Sequence, residues 1–219
     1  MILLAAAIIA LSGFSCAKEK PGKKEKPAGH EKMLEQHMKS MEELKKVVVA
    51  RVNGATITKY DLYIRAGKLS TEYVKRGQRM TPEIEQKAQK EALDELVFRE
   101  LAVQEAIRRN MKVPQQNIEA MLQQYKARIG TKEEYAEHLK RRDITEALLK
   151  KMIEREQLFR MIIAKEISEK VKEEGAGRGQ AVEKRKQEWE RELKKNAKIE
   201  ILLAEIEKKP LEEARKPGR

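Results

Sequence analysis

Apolar positions repeat along this chain with two periods. Over most of its length they recur every three to four residues, the spacing of one helix face. In two short stretches they alternate, the spacing of one strand face. The first alternating stretch is VVVARVNGATIT, residues 47–58. Asn53-Gly54 divides two β-branched runs and predicts a two-residue hairpin turn of type I′. The second is AKIEILLAEI, residues 197–206, where Ile199, Ile201 and Leu203 alternate with Lys198, Glu200 and Leu202. It reads as a strand with one buried face. An isolated hairpin is marginal in water, so the late strand is the expected third partner.

Helices fill the interval. Thr58, with Asp61 three residues on, caps KYDLYIRAGKLSTEYVKRG. Thr81-Pro82 opens the next helix, with Leu93, Leu96, Val97, Leu101 and Ile107 on its apolar side and Asn110 as a left-handed stop. Val113-Pro114 opens another, striped by Ile118, Leu122, Tyr125 and Ile129 and ended by Gly130. Thr131 and Glu134 form a capping box for KEEYAEHLKRR. Asp143 to Glu146 reads as a second box, for a long helix striped by Ile144, Leu148, Met152, Phe159, Ile163 and Ile167. KEEGAGRGQ, residues 172–180, interrupts the helix formers and reads as a linker. A last helix follows over about residues 182–196, bearing Trp189 and Leu193. The expected fold class is mostly α, closed by a small antiparallel sheet of an N-terminal hairpin and a C-terminal strand.

Composition narrows the function classes. Of 219 residues, 40% are hydrophobic, 38% charged and 4% aromatic, which argues against an all-β core. Net charge is +12, but runs such as EKRKQEWERELKK mix signs at helical spacing and read as paired, solvated faces. Nucleic acid is therefore not the favoured partner. The single cysteine, Cys16, excludes an internal disulfide and zinc sites of the usual spacing. His30, His37 and His138 do not cluster as ligands, and no cofactor is expected.

The segment MILLAAAIIALSGFSC is shorter than the roughly 20 apolar residues that span a bilayer and matches the apolar region of a secretory signal. Its end, LSGFSC, resembles a bacterial lipoprotein signal. It departs from that pattern at Gly13, where leucine is usual, and carries no basic residue before Cys16. Lipidation of Cys16 and an ordinary secretory signal are both readings, with lipidation favoured and the outer membrane preferred to the inner. Residues 16–46 then read as a flexible basic tether and a short amphipathic helix with Met33, Leu34, Met38, Met41 and Leu44. Residues 207–219 read as a disordered tail.

Three segments in order resemble the N-terminal chaperone domain of SurA-like periplasmic folding factors, related to PrsA and trigger factor. Val49 to Thr58 fit V-x-x-V-N-G-x-x-I-T. Leu93 to Ala106 fit L-x-x-L-(apolar)-x-x-x-L-x-x-x-E-A. Trp189 to Ile201 read WERELKKNAKIEI, like the family's closing helix and strand. The resemblance spans residues 47–203 within a domain placed at 47–206. It implies a chaperone that binds unfolded or extended polypeptides such as outer-membrane protein precursors. Most relatives carry a parvulin-type prolyl isomerase module of about 90 residues before the closing helix. The interval from Val171 to Ala181 cannot hold one, so a binder rather than an enzyme is expected.

Flexible, polarizable methionines suit promiscuous surfaces. Met80, Met111, Met121, Met152 and Met161, with Tyr125, Tyr135 and Phe159, are the candidate client contacts; each is also an ordinary core residue type. Two other readings stay open: a protein with isomerase activity, and a structural lipoprotein holding one folded partner.

Overall fold

The Asn53-Gly54 turn forms as its composition dictates, with φ of 51° and 88° at the two positions. It joins β1 (Val48–Val52) to β2 (Ala55–Thr58) in an antiparallel pair. The computed structural model describes residues 39–172 and 175–202; the segments read as signal, lipidated Cys16 and most of the tether, and the chain from Leu203 onward, lie outside them. Residues 39–46 are helical (α1). After the hairpin come α2 (Lys59–Lys75), α3 (Pro82–Arg108), α4 (Gln115–Ile129), α5 (Lys132–Arg141), α6 (Glu146–Ile163), a π-turn (Ala164–Ser168), a 3-10 turn (Gly175–Gly177), α7 (Arg178–Lys195) and β3 (Ile199–Ile201).

The late strand does complete the sheet. Its order is β2-β1-β3, all antiparallel, with Ala50 opposite Ile201 and Val52 opposite Ile199. Asn53 adds a side-chain clamp, accepting from the Lys198 N–H at 2.8 Å through Oδ1 and donating to Gln104 Oε1 at 2.8 Å. A register shift between Val48 and Ala50 turns both Val49 and Ala50 inward, where strict alternation would expose one.

Caps set the helix starts. Thr58 with Asp61 and Thr131 with Glu134 form complete capping boxes, and Thr81 accepts from Ile84 N–H ahead of Pro82. Two helix ends close on left-handed residues other than glycine: Asn110, as expected, and Asp143. Asp143 is thus a correction. It terminates α5, with Ile144 N–H donating to Leu139 O at 3.1 Å, and Thr145 is the cap of α6. The glycine segment is also shorter than expected, because α7 already begins at Arg178.

Two cores share α3 as a spine. The sheet core joins the strands, α2 and one side of α3 through Val49, Val52, Ile57, Leu62, Ala92 and Leu101, with Ile199 packed against it. The helical core joins the other side of α3 to α4–α7. Its centre is aromatic: Phe98 meets Trp189 edge-on at 5.6 Å and Phe159 at 6.3 Å. A charge cluster fastens this core. Glu166, only 4% exposed, accepts from Arg109, from Lys170 at 2.5 Å and from Arg185 at 3.4 Å. Burial pushes its carboxyl up, but the bonds from Lys170 and Arg109 outweigh this and hold it below the usual carboxylate range. The fork from Arg108 takes Glu105 down to about 2, with Arg109 adding to it against the effect of burial.

Ile107 and Ile201 were expected inside. Both are exposed, Ile107 at the end of α3 and Ile201 at the end of the edge strand.

Candidate functional site

The sequence of α6 carries apolar doublets: Leu148-Leu149, Met152-Ile153, Leu158-Phe159 and Ile162-Ile163. Doublets make two adjacent apolar stripes, and one helix–helix contact buries only one of them. Leu149 (5% exposed), Ile153, Leu158 and Ile162 enter the helical core. On the second stripe Phe159 and Ile163 pack against that core, whereas Leu148 and Met152 remain 44% and 48% exposed. The stripe Leu148–Met152 expected to be core is therefore surface in the first half of α6. The burying stripe is offset by one residue.

The exposed face leads to a cleft. Leu148 and Arg155 lie about two turns apart on the same side of α6, with Met152 between them. Arg155 helps line a cleft of about 400 Å³ with Ala55, Thr56 and Ile57 of β2, Asp61 of α2, and Leu96, Arg99, Glu100 and Val103 of α3. Its floor is aliphatic and its rim charged. The charges pair with each other: Arg155 donates to Glu100 Oε2 at 2.5 Å, Arg99 to Glu156, and Asp61 is held by Thr58 N–H at 2.9 Å. Arg99 also lies over the Phe159 ring at 4.6 Å. A rim of satisfied pairs has little preference for ligand charge, while the floor takes apolar groups. Among the described residues no cluster of His, Cys, Asp and Glu could hold a metal ion, and no helix is long and apolar enough to cross a membrane.

The model of the SurA-like N-terminal domain matches residues 27–163, more than half of the chain. The chain belongs to the SurA-like N-terminal domain family, a chaperone-type family. No match was found among curated proteins. The match starts at residue 27, ahead of the hairpin, and stops at the last residue of α6. In this SurA-like chain α7 and β3 thus lie beyond the matched region, yet Trp189 and β3 complete the helical core and the sheet.

Within the SurA-like domain the candidate contacts do not converge. Met80 packs against the sheet core; Met111, Met121, Tyr125 and Phe159 pack against the helical core, and Tyr135 is buried in it. Tyr125 and His138 Nε2 share a hydrogen bond of 2.8 Å. Burial, aided by Arg142 and Arg141, lowers the pKa of His138. Tyr135 is pushed up to about 12 by burial and its bond to Glu146. Only Met152 and Met161 are exposed. They lie nine residues apart, half a turn around α6 at about 100° per residue, so they face opposite sides. The sequence reading missed the cleft residues and the exposure of Leu148. The doublets of α6 were the available signal.

Proposed function

We propose that this chain is a periplasmic, membrane-anchored holdase that binds unfolded or extended polypeptides, such as outer-membrane protein precursors, without a covalent step. The observation that carries the reading is the uncovered stripe of Leu148 and Met152 on the side of α6 whose next turn, at Arg155, lines the cleft between β2, α3 and α6, in a domain of a chaperone-type family. Burying client side chains there gains about 25 cal/mol per Å². Association and ordering costs cancel most of that, which leaves the weak, reversible binding that release requires. Anchoring is assigned to lipidated Cys16, and the basic tether favours anionic headgroups. The short path from Ser168 to Gly175 supports a binder without an inserted isomerase.

The deciding experiment is aggregation suppression of an unfolded outer-membrane protein by the full chain. Suppression is expected, and its loss in the double variant Leu148→Asp, Met152→Asp. No effect at several-fold molar excess overturns the holdase reading. Acceleration of proline-peptide isomerisation overturns the absence of catalysis. Cys16→Ser is expected to abolish membrane retention.

A further inference from the structure

β3 sits at the edge of the sheet, and its two edges differ. Asn53 N–H donates to Lys198 O at 2.8 Å and Leu202 N–H donates to Val49 O at 3.0 Å. Glu200 lies opposite Arg51 between them. Lys198, Glu200 and Leu202 therefore turn their backbone groups toward β1, and Ile199 and Ile201 turn theirs outward. Among the described residues no strand pairs with that outer edge. Edge strands are usually blunted by bulges, prolines or charges. Here the bulge lies on β1, against β2, and the outward-directed residues are isoleucines. Ile201 is 52% exposed and Leu202 44%.

The two faces of the edge also differ. Ile199 and Ile201 lie on the face that covers the sheet core. Lys198, Glu200 and Arg51 lie on the opposite face, joined by Lys198 Nζ to Glu200 at 2.9 Å and Arg51 to Glu200 at 3.8 Å.

We infer that the outer edge of β3 is a strand-acceptor site for an extended polypeptide segment whose apolar and charged residues alternate, bound antiparallel by strand addition. The inference rests on the holdase reading for its class of partner and adds a second site and a binding mode. Backbone groups of Ile199 and Ile201 supply the hydrogen bonds, and the two-faced edge selects the alternation. Directly opposed residues in an antiparallel pair share a face. The incoming apolar residues therefore lie opposite Ile199 and Ile201, and it is their N–H groups that face β3. A second copy of the chain fits less well. Self-pairing centred on Glu200 sets two carboxylates side by side, and centring it on Ile199 brings the end of α7 into the pair.

The test uses the full chain and a labelled peptide of alternating valine and charged residues, with lysine and glutamate in turn. Backbone N-methylation of the valines is expected to weaken binding about ten-fold, the worth of one or two hydrogen bonds, while N-methylation of the charged residues leaves it unchanged. Ile201→Pro removes one outward N–H, leaves the bonds of Lys198 and Leu202 to β1 in place, and is expected to weaken binding similarly. Equal binding of the two methylated peptides overturns the inference, independently of any folding defect in the variant. So does peptide binding lost in Leu148→Asp, Met152→Asp and retained in Ile201→Pro, which assigns the peptide to the cleft. Concentration-dependent dimers cross-linked through β3 also overturn it, in favour of a second copy. Aggregation suppression that persists without the methylation pattern sinks the strand-acceptor site and spares the holdase. The methylation pattern without suppression does the reverse.

Discussion

The sheet core and the helical core are built on opposite sides of one helix and are specified differently. The sheet core draws on signals that act within a few residues: the Asn53-Gly54 turn, the Thr58 and Asp61 capping box, and β-branched strands. Beyond these it takes one face of α3 and, from the far end of the chain, β3, itself an alternating strand. The helical core has no such local device at its centre. Phe98, Phe159 and Trp189 meet from three helices far apart in sequence, and the buried Glu166 is neutralised by Arg109 at the end of α3, Lys170 just after the π-turn and Arg185 of α7. A region set by local chemistry has one arrangement available. A region set by packing several amphipathic helices can rotate each helix to choose which stripe it buries, and α6 shows that choice.

The largest expected break in this comparison is Trp189→Ala. It removes the most voluminous fully buried side chain and is expected to cost about 3–5 kcal/mol in urea denaturation, with the helical core losing protection from hydrogen exchange before the sheet. The pair Leu149→Ala and Leu148→Ala then tests the offset of α6. The first is expected to cost about 3 kcal/mol by the cavity it leaves, and the second to stay within about 0.5 kcal/mol, as surface substitutions do. Equal costs would mean that α6 buries both stripes.

Glu166→Gln comes next, at about 2–3 kcal/mol, because it leaves partly buried cations without their carboxylate. It carries a pH signature. Glu166 and Glu105 are both held below their ordinary pKa, so the stability they contribute is complete above the unfolded carboxyl value of about 4.3. It is lost as pH falls from there toward the folded values, which for Glu105 is about 2. Thermal denaturation between about pH 5 and pH 2 is expected to fall less steeply in Glu166→Gln than in the parent. Gly54→Ala comes last of the destabilising changes, above only Leu148→Ala: it places a Cβ at φ 88° and is expected to cost about 1–2 kcal/mol, confined to the hairpin.

The hairpin, the caps at Thr58, Thr81 and Thr131, and the third strand were all legible because each rests on a residue type at a fixed offset. The family was legible for the same reason: its pattern lies in the turn and in the spacing of Leu93, Leu96 and Leu101. The candidate site was hardly legible. A methionine or tyrosine on an apolar stripe has the same sequence signature whether it is buried, as Tyr135 is, or exposed, as Met152 is.

The sequence by itself determined where the hairpin strands and the helices α2 to α5 begin, that the late strand joins the hairpin in one sheet, and the family; the starts of α6 and α7 it placed a few residues off. Only the tertiary structure decided that Leu149 goes inside and Leu148 outside, that the cleft lies between β2, α3 and α6, and that Ile199 and Ile201 face the open edge. The physical reason is range. Turn and cap preferences act over about four residues of chain. The burial of one of two equally apolar stripes depends on which neighbouring helix has a groove to receive it, and those neighbours are brought together only in the folded molecule.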